Sequence, residues 1–495
     1  MNSGLPGDLG AAVGPKSVQE YIDETPVWRD GTVLQTTPMT GMQWRIWTLA
    51  AAGKFFEGLV VFMTGVAMPL ISDEFRMSPA QHGVVGAASL FGILVGAVGL
   101  GSLSDHFGRK RMFVIEMFIF MIFLCLLVVS PSYLWLVVFL FGIGVALGCD
   151  YPTAHLIISE SIPSSLRGRL VLAAFGFQAL GALTGTAVGY VILKNLPQIG
   201  AWRWMYATAI VPGLVVTVGR LSITESAHWL LARGKIELAK QQTARLLRRT
   251  PPYPRGVTLG GGYRQATGDH RQNRGYGALF SKHNRRATIL ASVPWFLQDL
   301  GTYGIGIFTP AILAASIGHK TKYVRNLAEL INNDILAARG AALIDILLIV
   351  GVICAILLAD RVGRIRLQII GFAGCAAGLL LASFSGFCTG ELHVLLIFLG
   401  FMLFNFMTNL GPNAQTYLLA GEVFPTPVRG MGAGFAAAFA KIGAVMTAFL
   451  FPILLADIGT QTLLYILVGT SLLGAAVTRA FQIETAGINL ETIGK

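Results

Sequence analysis

Tyr133-Leu-Trp-Leu-Val-Val-Phe-Leu-Phe-Gly-Ile-Gly-Val-Ala-Leu-Gly-Cys-Asp150-Tyr-Pro-Thr-Ala-His155-Leu-Ile-Ile-Ser-Glu160 is an apolar run long enough to cross a bilayer, and it closes on an acid, a phenol, a proline and an imidazole. Ionisable groups at that depth are costly and face a bundle interior or a watery cavity, where they have a task. The stretch therefore implies a membrane helix with a functional face.

The rest of the chain repeats the pattern. Of 495 residues 54% are hydrophobic and 13% charged, and runs of about 20 apolar residues recur along the length. Backbone groups in lipid must be paired within the segment, so the expected class is an all-α membrane protein. Twelve spans are predicted. Six lie at 46–71, 82–103, 112–130, 133–160, 169–193 and 203–221; six more lie at 286–312, 337–358, 367–387, 392–421, 430–455 and 461–482. Residues 1–45 read as a mobile cytoplasmic tail, 222–285 as a cytoplasmic central loop with a short amphipathic helix near Lys235–Arg249, and 483–495 as a second tail.

The net charge of +12 sits in loops of one side. Arg109, Lys110 and Arg111 follow span two, Arg167 and Arg169 follow span four, and Arg361, Arg364 and Arg366 follow span eight. With the basic central loop, they place both termini inside. Nucleic acid is excluded as a partner; the bilayer is the implied one. Cys125, Cys149, Cys354, Cys375 and Cys388 lie in or beside apolar segments without metal-ligand spacing, so they read as packing residues, with no metal and no cofactor.

An internal repeat is visible. Asp105-His-Phe-Gly-Arg109 corresponds to Asp360-Arg-Val-Gly-Arg364, and Glu160-Ser-Ile-Pro-Ser-Ser-Leu-Arg167-Gly to Glu422-Val-Phe-Pro-Thr-Pro-Val-Arg429-Gly. The duplication implies two six-helix halves, 46–221 and 286–482, whose rim charges (Asp105, Arg109, Glu160, Arg167, Asp360, Arg364, Glu422 and Arg429) act as gates. Ordinary membrane-flanking charges are the plainer alternative.

These motifs resemble the major facilitator superfamily from residue 46 to 491. Trp202-Arg-Trp204, Glu225-Ser-Ala-His-Trp229 and Glu484-Thr-Ala-Gly-Ile-Asn-Leu-Glu491 are similar to sugar porters; Asp150-Tyr151-Pro152, Trp295-Phe-Leu-Gln-Asp299-Leu-Gly-Thr-Tyr303, Asn409-Leu-Gly-Pro-Asn413 and Ala440-Lys441 resemble phosphate:proton symporters. The resemblance implies alternating access between two halves. It also implies that Asp299 carries the coupled proton and helps gather the solute.

Depth arithmetic supports a site independently. At about 1.5 Å per residue, ten residues from a helix end is near the middle of a roughly 30 Å core. Glu57, Asp150, Gln178, Trp295, Asp299, Asn413 and Lys441 all fall in that layer. Trp295, Asp299 and Tyr303 recur every four residues and share a helix face. Asp299, Glu57 and Asp150 are the candidate proton-coupling acids. Tyr151, Gln178, Trp295, Tyr303, Asn413 and Lys441 are the candidate solute ligands. Lys441 offers a point charge to an anion; a permanent ion pair is the alternative reading, as it is for Asp299 with Lys441 and for Lys54 with Glu57. Pro152 and Pro412 each remove a helix hydrogen bond beside the layer.

Two features depart from the phosphate symporters: Val60 and Val61 follow Glu57 where a second acid is expected, and His155 stands where a small residue does. No ATPase phosphate loop and no nucleophile–base constellation appears, so no enzyme is expected. The expectation is a proton-coupled symporter of the plasma (inner) membrane for a small anion, phosphate or a carboxylate. A sugar or polyol is the alternative solute, and a non-transporting nutrient sensor the alternative of another class. No obligate protein partner is evident.

Overall fold

The computed structural model of the chain describes residues 16–25, 37–99, 103–249, 254, 257–259, 276–317, 327–425 and 428–485. Its helices run α1 (Val18–Asp23), α2 (Gly41–Phe75), α3 (Pro79–Gly99), α4 (Leu103–Phe107), α5 (Arg109–Val128), α6 (Tyr133–Ser161), α7 (Ser164–Asn195), α8 (Ala201–Ala207), α9 (Ile210–Leu221), α10 (Ala227–Ala232), α11 (Ile236–Leu246), α12 (Arg285–Ile317), α13 (Leu327–Val362), α14 (Arg364–Ser383), α15 (Glu391–Leu410), α16 (Pro412–Glu422) and α17 (Arg429–Ala480). Among the described residues there is no sheet, only an isolated bridge between Lys16 and Leu259. Ten helical stretches among them are long and apolar enough to cross a membrane. The protein is an all-α, multi-pass membrane protein.

The breaks have local causes. α15 and α16 part at Gly411 (φ −110°, ψ −97°), because Pro412 supplies no N–H to continue the ladder. α17 is continuous across the last two expected spans except at Gly459, where a φ of +77° turns the chain. α2 begins at Gly41, earlier than the expected 46, because Thr40 and Gln43 form a capping box. Residues 16–25 are docked where a mobile tail was expected: Val18, Tyr21 and Ile22 of α1 are buried, and the Asp23 carboxylate accepts from the Ser164 backbone N–H at 2.7 Å.

Small residues set the closest crossings. A methyl group added at Gly92 or Gly96 of α3, or at Gly144 or Gly148 of α6, would overlap the facing backbone, so these two helices touch main chain to main chain. α2 packs on α7, α6 and α12; α12 packs on α17 and α13; and α13 packs on α7. The outward faces keep large apolar side chains, among them Phe118, Ile122, Val211, Val215 and Leu357, exposed as lipid-facing groups. Helices from both sides of the central loop therefore enclose one interior.

Candidate functional site

Glu57 sits in the middle of α2, 2% exposed. Its Oε2 accepts from Lys54 Nζ at 2.8 Å, one turn earlier on the same helix face. Its Oε1 accepts from the Tyr303 hydroxyl of α12 at 3.1 Å and from Gln178 Nε2 of α7 at 3.3 Å. Lys441 Nζ of α17 stands 3.6 Å from the same oxygen, 3.3 Å from Asp299 Oδ2, and donates to the Tyr303 hydroxyl at 2.6 Å. Tyr303 thus gives its one proton to Glu57 while accepting from Lys441 and from Gln178 Nε2 at 3.1 Å. Two ammonium and two carboxylate groups, all at most 5% exposed, form one network drawn from α2, α7, α12 and α17.

Charges buried this deeply persist only when paired and hydrogen-bonded, and the network meets that condition internally. Each carboxylate touches an ammonium, and Lys441 touches both carboxylates. Adding a proton to either acid leaves one positive charge in excess. A solute or proton that rearranges one contact therefore alters the others.

An aromatic group lies beside the network. Tyr417 of α16 stacks on Phe175 of α7, with ring centroids 4.5 Å apart, and meets the Trp295 ring edge-on at 6.1 Å. His155 Nδ1 is 3.4 Å from the Tyr417 hydroxyl, and Lys54 Nζ lies 6.0 Å from the Phe175 ring centre. Tyr417 was not among the expected site residues. Its signal is its spacing of four from Asn413, which puts it on the same face.

The other expected members lie elsewhere. Asp150 makes its ion pair outside the network: its Oδ1 is 2.6 Å from Arg220 Nη2 of α9, whose Nη1 is 2.9 Å from Glu116 Oε1 of α5. Gly53 lets α2 pass against the Asp150 carboxylate, where a methyl group would overlap it. Sequence reasoning missed Arg220 and Glu116, because each falls within about a turn of an expected span end and reads as a flanking charge. Asn413 turns to its own helix line, its Nδ2 donating to Asn409 Oδ1 at 2.6 Å. The side chains of Tyr151, Asp105 and Asp360 lie outside the described residues.

At the rim that carries the repeat motifs, the two sequence repeats adopt matching geometry. Arg109 Nη2 is 3.5 Å from Glu160 Oε1, and Arg364 Nε is 3.2 Å from Glu422 Oε2. Each pair joins helices on one side of the central loop. Arg167 Nη2 donates to Ser164 Oγ at 3.4 Å, and Arg429 Nε to the Phe424 carbonyl at 3.1 Å.

A second correspondence involves the sugar-porter-like acids. α5 and α14 start after Gly108 (φ +105°) and Gly363 (φ +97°), which have no side chain to cap the helix. Distant carboxylates substitute: Glu225 Oε1 accepts from Lys110 N at 2.9 Å, and Glu484 Oε1 and Oε2 accept from Arg364 N and Ile365 N at 3.0 and 3.2 Å. A methyl group at either glycine would fall 2.7 Å from that carboxylate.

A membrane bundle with a buried, balanced charge network at its centre is the build of a solute carrier. Residues 46–495 match the family described as sugar (and other) transporters, and the chain belongs to that family, within the major facilitator superfamily. The inner membrane metabolite transport protein YgcS of Escherichia coli K12 is 29% identical over 92% of this chain and 95% of its own length. The repressible high-affinity phosphate permease of Neurospora crassa is 28% identical over 79% of this chain and 73% of its own length. Among solved structures, the partially occluded inward-open xylose transporter XylE from E. coli superposes with a TM-score of 0.71 at 20% identity, covering 91% of this chain and 100% of that one. The chain is a secondary active carrier of a small solute and not an enzyme.

Proposed function

We propose that the chain is a proton-coupled symporter of a small neutral polyhydroxylated solute, a sugar or polyol. Two six-helix halves, 46–221 and 286–482, rock about the central network, with both termini and the loop at 222–285 on the cytoplasmic side of the plasma (inner) membrane. The observation that carries the reading is the junction of Glu57, Tyr303, Asp299 and Lys441. It unites ionisable groups from helices on both sides of the central loop in one buried, hydrogen-bonded site. A proton on Asp299 weakens its hold on Lys441, and the freed ammonium shifts toward Glu57 and Tyr303, which couples protonation to solute contacts. The stack of Tyr417 on Phe175 serves as an inner gate.

Sequence alone favoured an anion because Lys441 lies at the midplane. In the structure the Lys441 ammonium is engaged by two carboxylates and a phenol, so its charge is already balanced. The Tyr417 phenol and the Trp295 indole beside the network suit a hydroxylated solute better than an anion. The match to the sugar (and other) transporter family and the likeness to a xylose transporter lean the same way.

A second reading, a small anion such as phosphate or a carboxylate, is favoured by one observation. Both Lys54 and Lys441 converge on Glu57, so each bound proton leaves a positive charge for an anion to neutralise. The similarity to the Neurospora phosphate permease supports it. A thermal-shift screen of the purified protein against xylose, glucose, polyols, phosphate and carboxylates separates the two, repeated with Lys441→Ala. Saturable stabilisation by a sugar or polyol is expected. Stabilisation by phosphate or a carboxylate alone, lost in Lys441→Ala, would move the assignment to the second reading. A solute that stabilises the protein yet is not accumulated in proteoliposomes under an imposed pH gradient would mark a sensor.

A further inference from the structure

Asp345 lies on α13, 2% exposed, apart from the central network. Its Oδ2 accepts from Thr186 Oγ1 of α7 at 3.1 Å, and its Oδ1 accepts from Asn405 Nδ2 of α15 at 3.2 Å. Both donors are neutral and buried, and among the described residues no charged group from the helices packed on α13 acts on the carboxyl. On α13 itself the nearest ionisable side chains toward its start are Arg339, which is exposed, and Asp334, which is buried with neither oxygen bonded. Thr186 is two turns beyond Gln178 along α7, so this carboxyl is about 12 Å along that helix from the network.

Two neutral donors do not supply the countercharge that a buried carboxylate needs. The surroundings also accommodate the neutral acid. Thr186 Oγ1 lies 3.2 Å from the Ala182 carbonyl and 3.1 Å from the Leu183 carbonyl. Its hydroxyl can therefore donate to Asp345 when that group is a carboxylate. When Asp345 carries a proton, the hydroxyl can instead donate to its own helix and accept that proton's hydrogen bond. A hydroxyl able to serve both states joins two helices from opposite sides of the central loop.

We propose that Asp345, with Thr186 and Asn405, is a second proton-binding site at the contact of α7 with α13. It holds a proton while that contact is shut to water and releases it to water when the helices part. The parting rests on the alternating-access reading above; the proton site itself does not require an identified solute.

The test is infrared difference spectroscopy of the purified protein between acidic and alkaline buffer, with the proton as the only probe. The wild type should lose a protonated-carboxyl stretch on alkalinisation, and Asp345→Asn should lack that component while Asp299→Asn keeps it. Identical difference spectra for wild type and Asp345→Asn overturn the proposal. Should Asp345→Asn fail to fold, Thr186→Val, which keeps the acid, should shift the frequency of the band; an unmoved band overturns the proposal as well. Replacing potassium by sodium at fixed pH should leave the band in place, and its loss would make this a sodium site instead. Counterflow in proteoliposomes is measured separately, so absent transport counts against the carrier reading and absent titration against this one.

Discussion

Glu57 accepts a 3.1 Å hydrogen bond from the hydroxyl of Tyr303, and through that one atom α2 is tied to α12 and, by Lys441, to α17. Tyr303→Phe keeps the ring and its 2% exposure but removes a donor and an acceptor. The unmet groups on Glu57 and Lys441 then cost about 1–3 kcal/mol. Uptake in whole cells should fall by roughly tenfold or more, since about 1.4 kcal/mol is a factor of ten in rate. A Tyr303→Phe protein with unchanged uptake and unfolding temperature would show that the hydroxyl is idle.

Among the described residues Asp299 contacts one ammonium, at 3.3 Å, whereas Glu57 contacts two. It is the acid whose neutralisation disturbs the fewest partners. Asp299→Asn should therefore abolish accumulation driven by a pH gradient while leaving solute counterflow at zero gradient near the wild-type rate. Both are read from the same proteoliposome preparation. Accumulation that survives in Asp299→Asn would remove this residue from coupling.

A count of residues places a group along a helix but not around it. Counting residues from span ends put Glu57, Asp150, Asp299, Asn413 and Lys441 in one layer, because helices rise evenly. The count fixes only one coordinate. Which way each side chain points depends on helix rotation, set by packing between distant segments. Asp150 counts to the same layer as Glu57 yet pairs with Arg220, and Asn413 turns to Asn409. The repeat motifs differ in kind, since Arg109 and Glu160, like Arg364 and Glu422, sit close to helix ends. There the chain's own turns limit where a side chain can go.

Glu225 and Glu484 cap α5 and α14 from outside, at helix starts where glycine leaves the first N–H groups bare. Glu225→Gln and Glu484→Gln should each lower stability by about 1 kcal/mol, through lost cap charge. Gly108→Ala and Gly363→Ala should cost more, about 1–3 kcal/mol, because a positive φ strains any side chain there and the methyl group meets the carboxylate. Thermal unfolding in one detergent compares all four. A glutamine variant more damaging than its alanine counterpart would contradict the capping account.

His228 on α10 provides a pH signature outside the membrane. Burial, chiefly, together with Arg167 holds its imidazole below the ordinary value, against an opposing pull from Glu160. The folded protein therefore resists a proton that the unfolded chain accepts. The sign follows: stability is full above the ordinary imidazole value of about 6.5 and declines as pH falls through it, levelling out below the folded value. His228→Gln should flatten that decline in a series of unfolding temperatures against pH. A slope that persists unchanged would assign it to other groups.

Arg220 is fully buried, and its guanidinium serves Asp150 at 2.6 Å, Glu116 at 2.9 Å and the Phe113 carbonyl at 2.8 Å. Removing one partner of such a group strands the others, which costs about 3–5 kcal/mol, whereas replacing all the charges together is close to neutral. Arg220→Ala should therefore express poorly or unfold early. The combination Arg220→Met, Asp150→Asn, Glu116→Gln should recover most of the lost stability. The same combination separates scaffold from coupling: if these acids serve only to hold α5, α6 and α9 together, the recovered protein also accumulates solute under a pH gradient. If Asp150 takes part in proton coupling, stability returns but gradient-driven accumulation does not, while counterflow persists. A triple variant as unstable as Arg220→Ala would show that charge balance is not what holds these three helices.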